Sequence, residues 1–123
     1  TIVGAVPLAN QNTNTIGIVP ASVVSVTAYN SNLVVKASAG TLISVVGYNS
    51  GAAQFIQIHN AASLPANTTA PMFTFTVPAT GNFSLDFPPG GVTMTTGIVV
   101  CNSSTGATRT GGVSDCWFTA VYK

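Results

Sequence analysis

Residues 72–87, MFTFTVPATGNFSLDF, decide the fold. In the first half Phe73, Phe75 and Val77 fall on one side of an extended chain, and Thr74 and Thr76 on the other. In the second half Phe83, Leu85 and Phe87 alternate with Asn82, Ser84 and Asp86. A period of two is the signature of a half-buried β-strand, one face on a core and one face toward water. Pro78, Ala79, Thr80 and Gly81 lie between the two runs and supply turn chemistry. The stretch therefore predicts two strands and a reversal.

The same grammar extends in both directions. Ser22–Tyr29, Leu33–Ser38, Thr41–Tyr48 and Ala53–His59 are short runs rich in Val, Ile, Thr and aromatic residues, which suit a pleated surface. They are separated by Asn30-Ser31-Asn32, Ala39-Gly40 and Asn49-Ser50-Gly51. The last of these reads as a tight hairpin turn. A polar connection with two prolines, residues 60–71, precedes Met72. After Pro88-Pro89-Gly90-Gly91, VTMTTGIVVCN and DCWFTAVYK form the final strand regions. No segment carries a sustained helical period with caps. Eight or nine strands punctuated by turns predict an all-β chain, a single antiparallel β-sandwich of jelly-roll or related Greek-key type. The expected organisation is an extended N-terminal arm over residues 1–20 and a sandwich domain over 21–123. The arm is expected to reach a neighbouring subunit through Ile2, Val3, Val6, Leu8, Ile16 and Ile18.

Composition limits the function. The chain has 123 residues, enough for one domain with a core. Charged residues make up only 4%, against roughly 25% in an ordinary soluble domain. Lys36, Arg109 and Lys123 stand against Asp86 and Asp115, a net charge of +1. Three scattered cations cannot form the basic groove that phosphate contacts require, so nucleic acid is not an expected partner. No apolar run approaches the roughly 20 residues of a membrane-spanning helix, and no membrane association is expected. A chain with little charge repulsion is prone to associate, which suits a subunit that is largely interface.

The residues that could do chemistry are few. One His, two Cys and two Asp, with no Glu, give no metal-ligand spacing. No nucleophile elbow or carboxylate pair accompanies His59, which sits at a strand end and reads as a surface or interface residue. No enzyme activity, metal or cofactor is expected. Tyr29, Tyr48 and Tyr122 sit at strand ends, where ring and hydroxyl anchor a sheet edge or an interface. The aromatic residues Phe55, Phe73, Phe75, Phe83, Phe87, Trp117 and Phe118 are mostly assigned to the inward faces of strands. Cys101 and Cys116 flank a polar loop. If the last two strands pair with these residues opposite one another, Val99 meets Phe118 and Val100 meets Trp117. The thiols then face each other, as a disulfide in an oxidising place or as two free thiols in a reducing one. The balance favours a disulfide formed after assembly or release. The intervening loop, with Arg109 and Asp115, is expected to protrude as a contact region.

From Gly40 to Lys123 the chain resembles a group of short structural proteins of tailed bacteriophages and prophages. The likeness is carried by GYNSGAAQFIQIHNAASLPA, FSLDF and TGIVVCNSSTGATRTGGVSDCWFTAVYK. It implies a virion protein, a capsid decoration (cement) protein or another protein of the particle exterior. Cement proteins of this size often have β-sandwich folds and sit as trimers on the capsid lattice. The partners so implied are the major capsid protein and copies of the chain itself, in a homotrimer. The location implied is the outside of the virion, after synthesis in the host cytoplasm. The alternative is a head- or tail-fibre module that binds host-surface glycans through the 102–115 loop.

Overall fold

A computed structural model of the protein describes residues 20–123. The arm residues Ile2, Val3, Val6, Leu8, Ile16 and Ile18 lie outside the described residues. Nine strands follow in order: β1 Ser22–Ser25, β2 Asn32–Lys36, β3 Gly40–Asn49, β4 Gln54–His59, β5 Phe73–Val77, β6 Gly81–Asp86, β7 Val92–Met94, β8 Ile98–Ser103 and β9 Cys116–Tyr122. No helix long and apolar enough to cross a membrane occurs among these residues.

The strands form two antiparallel sheets. Sheet A runs β1-β9-β3-β6, with β7 also on β3; sheet B runs β2-β8-β4-β5. With β7 set aside as an extra strand, the eight remaining strands fall four to each sheet in the jelly-roll order. Strand β3 can carry two partners on one edge because it is long. Its first residues pair with β7 and its later ones with β6. The Pro88–Gly91 turn drops the chain from one to the other, with Gly90 and Gly91 at positive φ, which glycine tolerates without a Cβ clash.

The alternation in residues 72–87 is what fills the core. Phe73, Phe75, Val77, Phe83, Leu85 and Phe87 all pack inward, with Ile56, Ile58, Val45, Val100 and Phe118. Ring contacts run across the sandwich, Phe73 to Phe87 at 5.1 Å and Phe75 to Phe83 at 6.1 Å between centroids. Phe83 in turn meets Phe118 at 6.0 Å. Gly47 makes room for this cluster: a Cβ there would run into the Phe83 ring and the Trp117 carbonyl.

Two pairing expectations are corrected. Asn49-Ser50-Gly51 does not close a hairpin. It carries the chain from β3 in sheet A to β4 in sheet B. Cys101 and Cys116 are not opposed, because β8 belongs to sheet B and β9 to sheet A. Cys101 pairs with Asn32 and Gln57, and Cys116 with Asn49. Among the described residues the only consecutive strands that pair are β4 and β5, and they are joined by the long 60–72 connection. Short polar turns here pass between layers, where a reversal is needed but a ladder is not.

Candidate functional site

The register divides the side chains of each sheet into an inner and an outer set, and the two outer faces differ sharply. On sheet B the outer set includes Gln57 and His59 of β4 and Val99, Cys101 and Ser103 of β8, with Gln57 beside Cys101 and His59 beside Val99. All five are buried. They are covered by two connections, 60–72 and 104–115, that fold down onto the sheet and bond to each other. Thr68 N donates to Arg109 O at 2.7 Å, and Arg109 N donates to Thr69 O at 2.8 Å. Thr68 takes this position at φ 78°, a left-handed conformation that a β-branched residue adopts only when its surroundings dictate it.

Several polar groups beneath this cover are paired, although the buried Arg109 Nε has no hydrogen-bond partner. Gln57 Nε2 donates to the carbonyls of Thr105, Gly106 and Thr108, so one side chain holds the turn of the loop. Its Oε1 lies 3.0 Å from His59 Nε2. An amide oxygen only accepts, so Nε2 carries the proton of a neutral imidazole. Burial lowers the His59 pKa from the ordinary 6.5, and the Arg109 charge lowers it further. Arg109 Nη1 donates to Pro65 O and to Asn67 Oδ1. Cys101 lies on this face too. Burial pushes its thiol up, opposed by the Arg109 guanidinium.

These positions correct the expectations for His59 and Arg109. His59 is 2% exposed and Arg109 8%, so neither is a surface contact. His59 forms part of the wall of a depression of about 310 Å³ beside Asn60, Pro65, Thr69, Pro71 and Met72. The 102–115 loop does not protrude as a whole, since Arg109 pins its middle to the β4–β5 connection. Asp115, half-buried, works elsewhere. Its Oδ1 accepts from Gln54 Nε2 at 3.0 Å and Asn102 Nδ2 at 2.9 Å, at one end of the sandwich. Cys116 sits inward in that cluster, 3.3 Å from Asp115 Oδ1. Burial and then the Asp115 hydrogen bond push its thiol up to about 12. Both cysteines are free, one under the outer cover of sheet B and one between the sheets. Among the described residues no group of three or more His, Cys, Asp or Glu could hold a metal ion.

Sheet A presents the opposite case. Its outer set forms three rows across β9, β3 and β6: Trp117, Tyr48 and Asn82; Thr119, Val46 and Ser84; Val121, Ser44 and Asp86. Strand β1 adds Ser25 beside Thr119 and Val23 beside Val121. Here the face is open. Val23 is 66% exposed, Val46 43% and Trp117 37%. The Trp117 ring is held by Tyr29, which stands edge-on to it at 6.1 Å and 89°. Trp117, Tyr48, Val46, Asn82, Ser84 and Thr119 border a shallow depression of about 430 Å³. Tyr29 and Tyr48 thus lie on the open face, whereas Tyr122 packs against the core.

Trp117 and Phe55 also depart from the inward assignment. Phe55 pairs with Ser103 on the outer side of sheet B and lies under Gly106. Trp117 lies in the apolar run Cys116-Trp117-Phe118, where hydropathy alone cannot choose a face. The later alternation could have decided it, since Thr119 and Val121 share the Trp117 side. Compared with protein-family models, curated proteins and solved structures, the chain gives no match in any of the three.

Proposed function

We propose that this chain is a non-enzymatic structural subunit of a bacteriophage particle, a capsid decoration protein that stabilises the head lattice as a homo-oligomer. The observation that carries the reading is the contrast between the two outer faces. Among the described residues one is covered by the chain's own loops, and the other displays Val23, Val46 and Trp117, with Asp86 the one charged residue in its three rows. Exposed apolar area flanked by hydroxyl and amide groups is what a protein contact offers. The resemblance of residues 40–123 to short phage structural proteins supplies the particle. The partners are then the major capsid protein and further copies of the chain, on the virion exterior. Residues 1–20 form the arm that reaches a neighbour.

Such contacts gain little from charge, so binding to particles is only weakly salt-dependent. The deciding experiment is to count and locate the protein in purified particles by electron microscopy and quantitative gels. Hundreds of copies on the head support a decoration protein; a handful on a tail or fibre refute it. Deleting residues 1–20 weakens particle binding and leaves the sandwich folded; unchanged binding removes the arm from the interface.

A second reading is favoured by one specific feature. The Trp117 ring, propped by Tyr29 and neighboured by Tyr48 and Asn82, is a stacking surface of the kind that holds a sugar ring. A glycan-binding fibre module would use this face and not the 102–115 loop. A glycan array with the purified chain separates the two, since a decoration protein gives no signal.

A further inference from the structure

We infer that the outer face of sheet A is where copies of this chain meet one another. This deepens the homo-oligomeric part of the function proposed above and rests on it.

The first argument is exclusion within the molecule. A β-sandwich has two broad outer faces. Sheet B has its central outer residues under the 60–72 and 104–115 connections, which among the described residues leaves sheet A as the broad uncovered face. The second argument is charge. The two rows led by Trp117 and Thr119 contain no Asp, Glu, Lys, Arg or His, and the third contains Asp86 at its β6 margin. A partner recognised through charge would find only the Asp86 carboxylate, at the margin of the three rows. A second copy brings the same neutral rows, so its approach buries no unpaired charge at the centre, and the net charge of +1 repels it little. The third argument is chemistry. The polar groups among the apolar ones include the hydroxyls of Ser25, Ser44, Ser84 and Thr119 and the amide of Asn82. Each both donates and accepts, so a face of this composition can satisfy itself across a symmetry axis. Trp117, with its ring fixed by Tyr29, is the central anchor.

The chain has a single tryptophan, so its fluorescence reports this face directly. The experiment compares the full chain with Val23→Asp, Val46→Asp and a control, Thr76→Asp, on the exposed outer side of β5. Sedimentation and Trp117 emission are followed over a dilution series, circular dichroism checks the fold, and particle binding is assayed separately. The expected result is a wild-type oligomer whose emission moves to the red as it dissociates. The two valine variants raise the dissociation midpoint at least tenfold, while Thr76→Asp leaves it unchanged. Val23 is far enough exposed that its variant tests the face even where Val46→Asp fails to fold.

Three results overturn the inference. An oligomer indifferent to both substitutions places the contact elsewhere and leaves the decoration reading standing. A monomer whose particle binding is lost in Val23→Asp gives the face to the capsid. A monomer in which Trp117 gains exposure only when residues 1–19 are deleted gives it to the chain's own arm. Loss of particle binding in the wild type itself is the separate failure of the proposed function.

Discussion

Arg109 Nη1 and Asn67 Oδ1 lie 2.8 Å apart, and this bond fastens the β8–β9 connection to the β4–β5 connection. Asn67 Oδ1 also accepts from Gly111 N at 2.9 Å, so one amide oxygen takes two donors from the β8–β9 connection. Arg109→Ala removes a charged donor that serves Pro65 O and Asn67 Oδ1. The expected loss is about 1.5–3 kcal/mol in urea unfolding, the range for a hydrogen bond to a charged group. Limited proteolysis should then cut within 60–72 and 104–115 first. Unchanged stability and unchanged cleavage would show that the backbone exchange between Thr68, Thr69 and Arg109 suffices.

The neutral His59 gives the cover an acid limit. Its folded pKa lies below the ordinary 6.5, so below that pH the unfolded chain binds a proton that the folded chain resists. Stability is therefore full above about pH 6.5 and falls as the pH drops from there toward the lowered value. The groups sharing that face are Arg109 and Cys101, and neither supplies a negative charge to receive an imidazolium while the thiol is protonated. His59→Gln should flatten this part of the pH–stability curve. A wild-type curve with no slope between pH 6.5 and pH 5 would contradict the assignment.

The thiols should be silent in the folded protein. Cys116 has its pKa raised to about 12, and Cys101 is also raised and buried. A thiol reagent at pH 8 should modify neither residue until denaturant is added, and then both. An intact mass short of two hydrogens under non-reducing conditions would reveal a bridge and contradict the strand placement. For Cys116 the linkage also has an alkaline side. Its stabilising contribution is complete below the ordinary value of 9.0 and is lost as the pH rises toward about 12.

Gly47 is the glycine whose added Cβ would meet the closest neighbour. A methyl group there meets the Phe83 ring on one side and the Trp117 carbonyl on the other. Backbone cannot yield as a flexible side chain can, so Gly47→Ala is expected to cost about 1–3 kcal/mol or more. Pairing it with Phe83→Leu, which shortens the obstructing ring, should recover part of that cost. Thermal melts of the two single variants and the double variant measure the coupling.

Much of this architecture is legible in the sequence, and the failures share a cause. The alternation of Phe73, Phe75 and Val77 with Thr74 and Thr76 states which face is inward because each residue type has a clear preference. The strand count and the β-sandwich class follow from such runs and their breaks, while the choice of jelly roll over a related Greek key comes from the sheet order. Asn49-Ser50-Gly51 announces a reversal equally well, yet nothing in three residues says whether the next strand stays in the sheet or crosses to the other. The pairing of Cys101 with Cys116 fails for that reason. His59 is misplaced because its cover comes from Pro65, Thr69 and Arg109, distant or off the strand, and a local pattern cannot see a loop folding back. Trp117 is misplaced because its two neighbours are as apolar as it is.

The jelly-roll order also sets a timetable for synthesis. Strand β1 is made early but pairs only with β9, and β9 also fills the gap between β1 and β3. Through most of translation, therefore, β1 and one long edge of β3 wait with unpaired backbone groups, while β4 and β5 can already join. Sheet A closes only when Cys116–Tyr122 has left the ribosome. Nascent chains stalled before β9 should accordingly be sticky and protease-sensitive, and a chaperone that shields strand edges has its task in that interval.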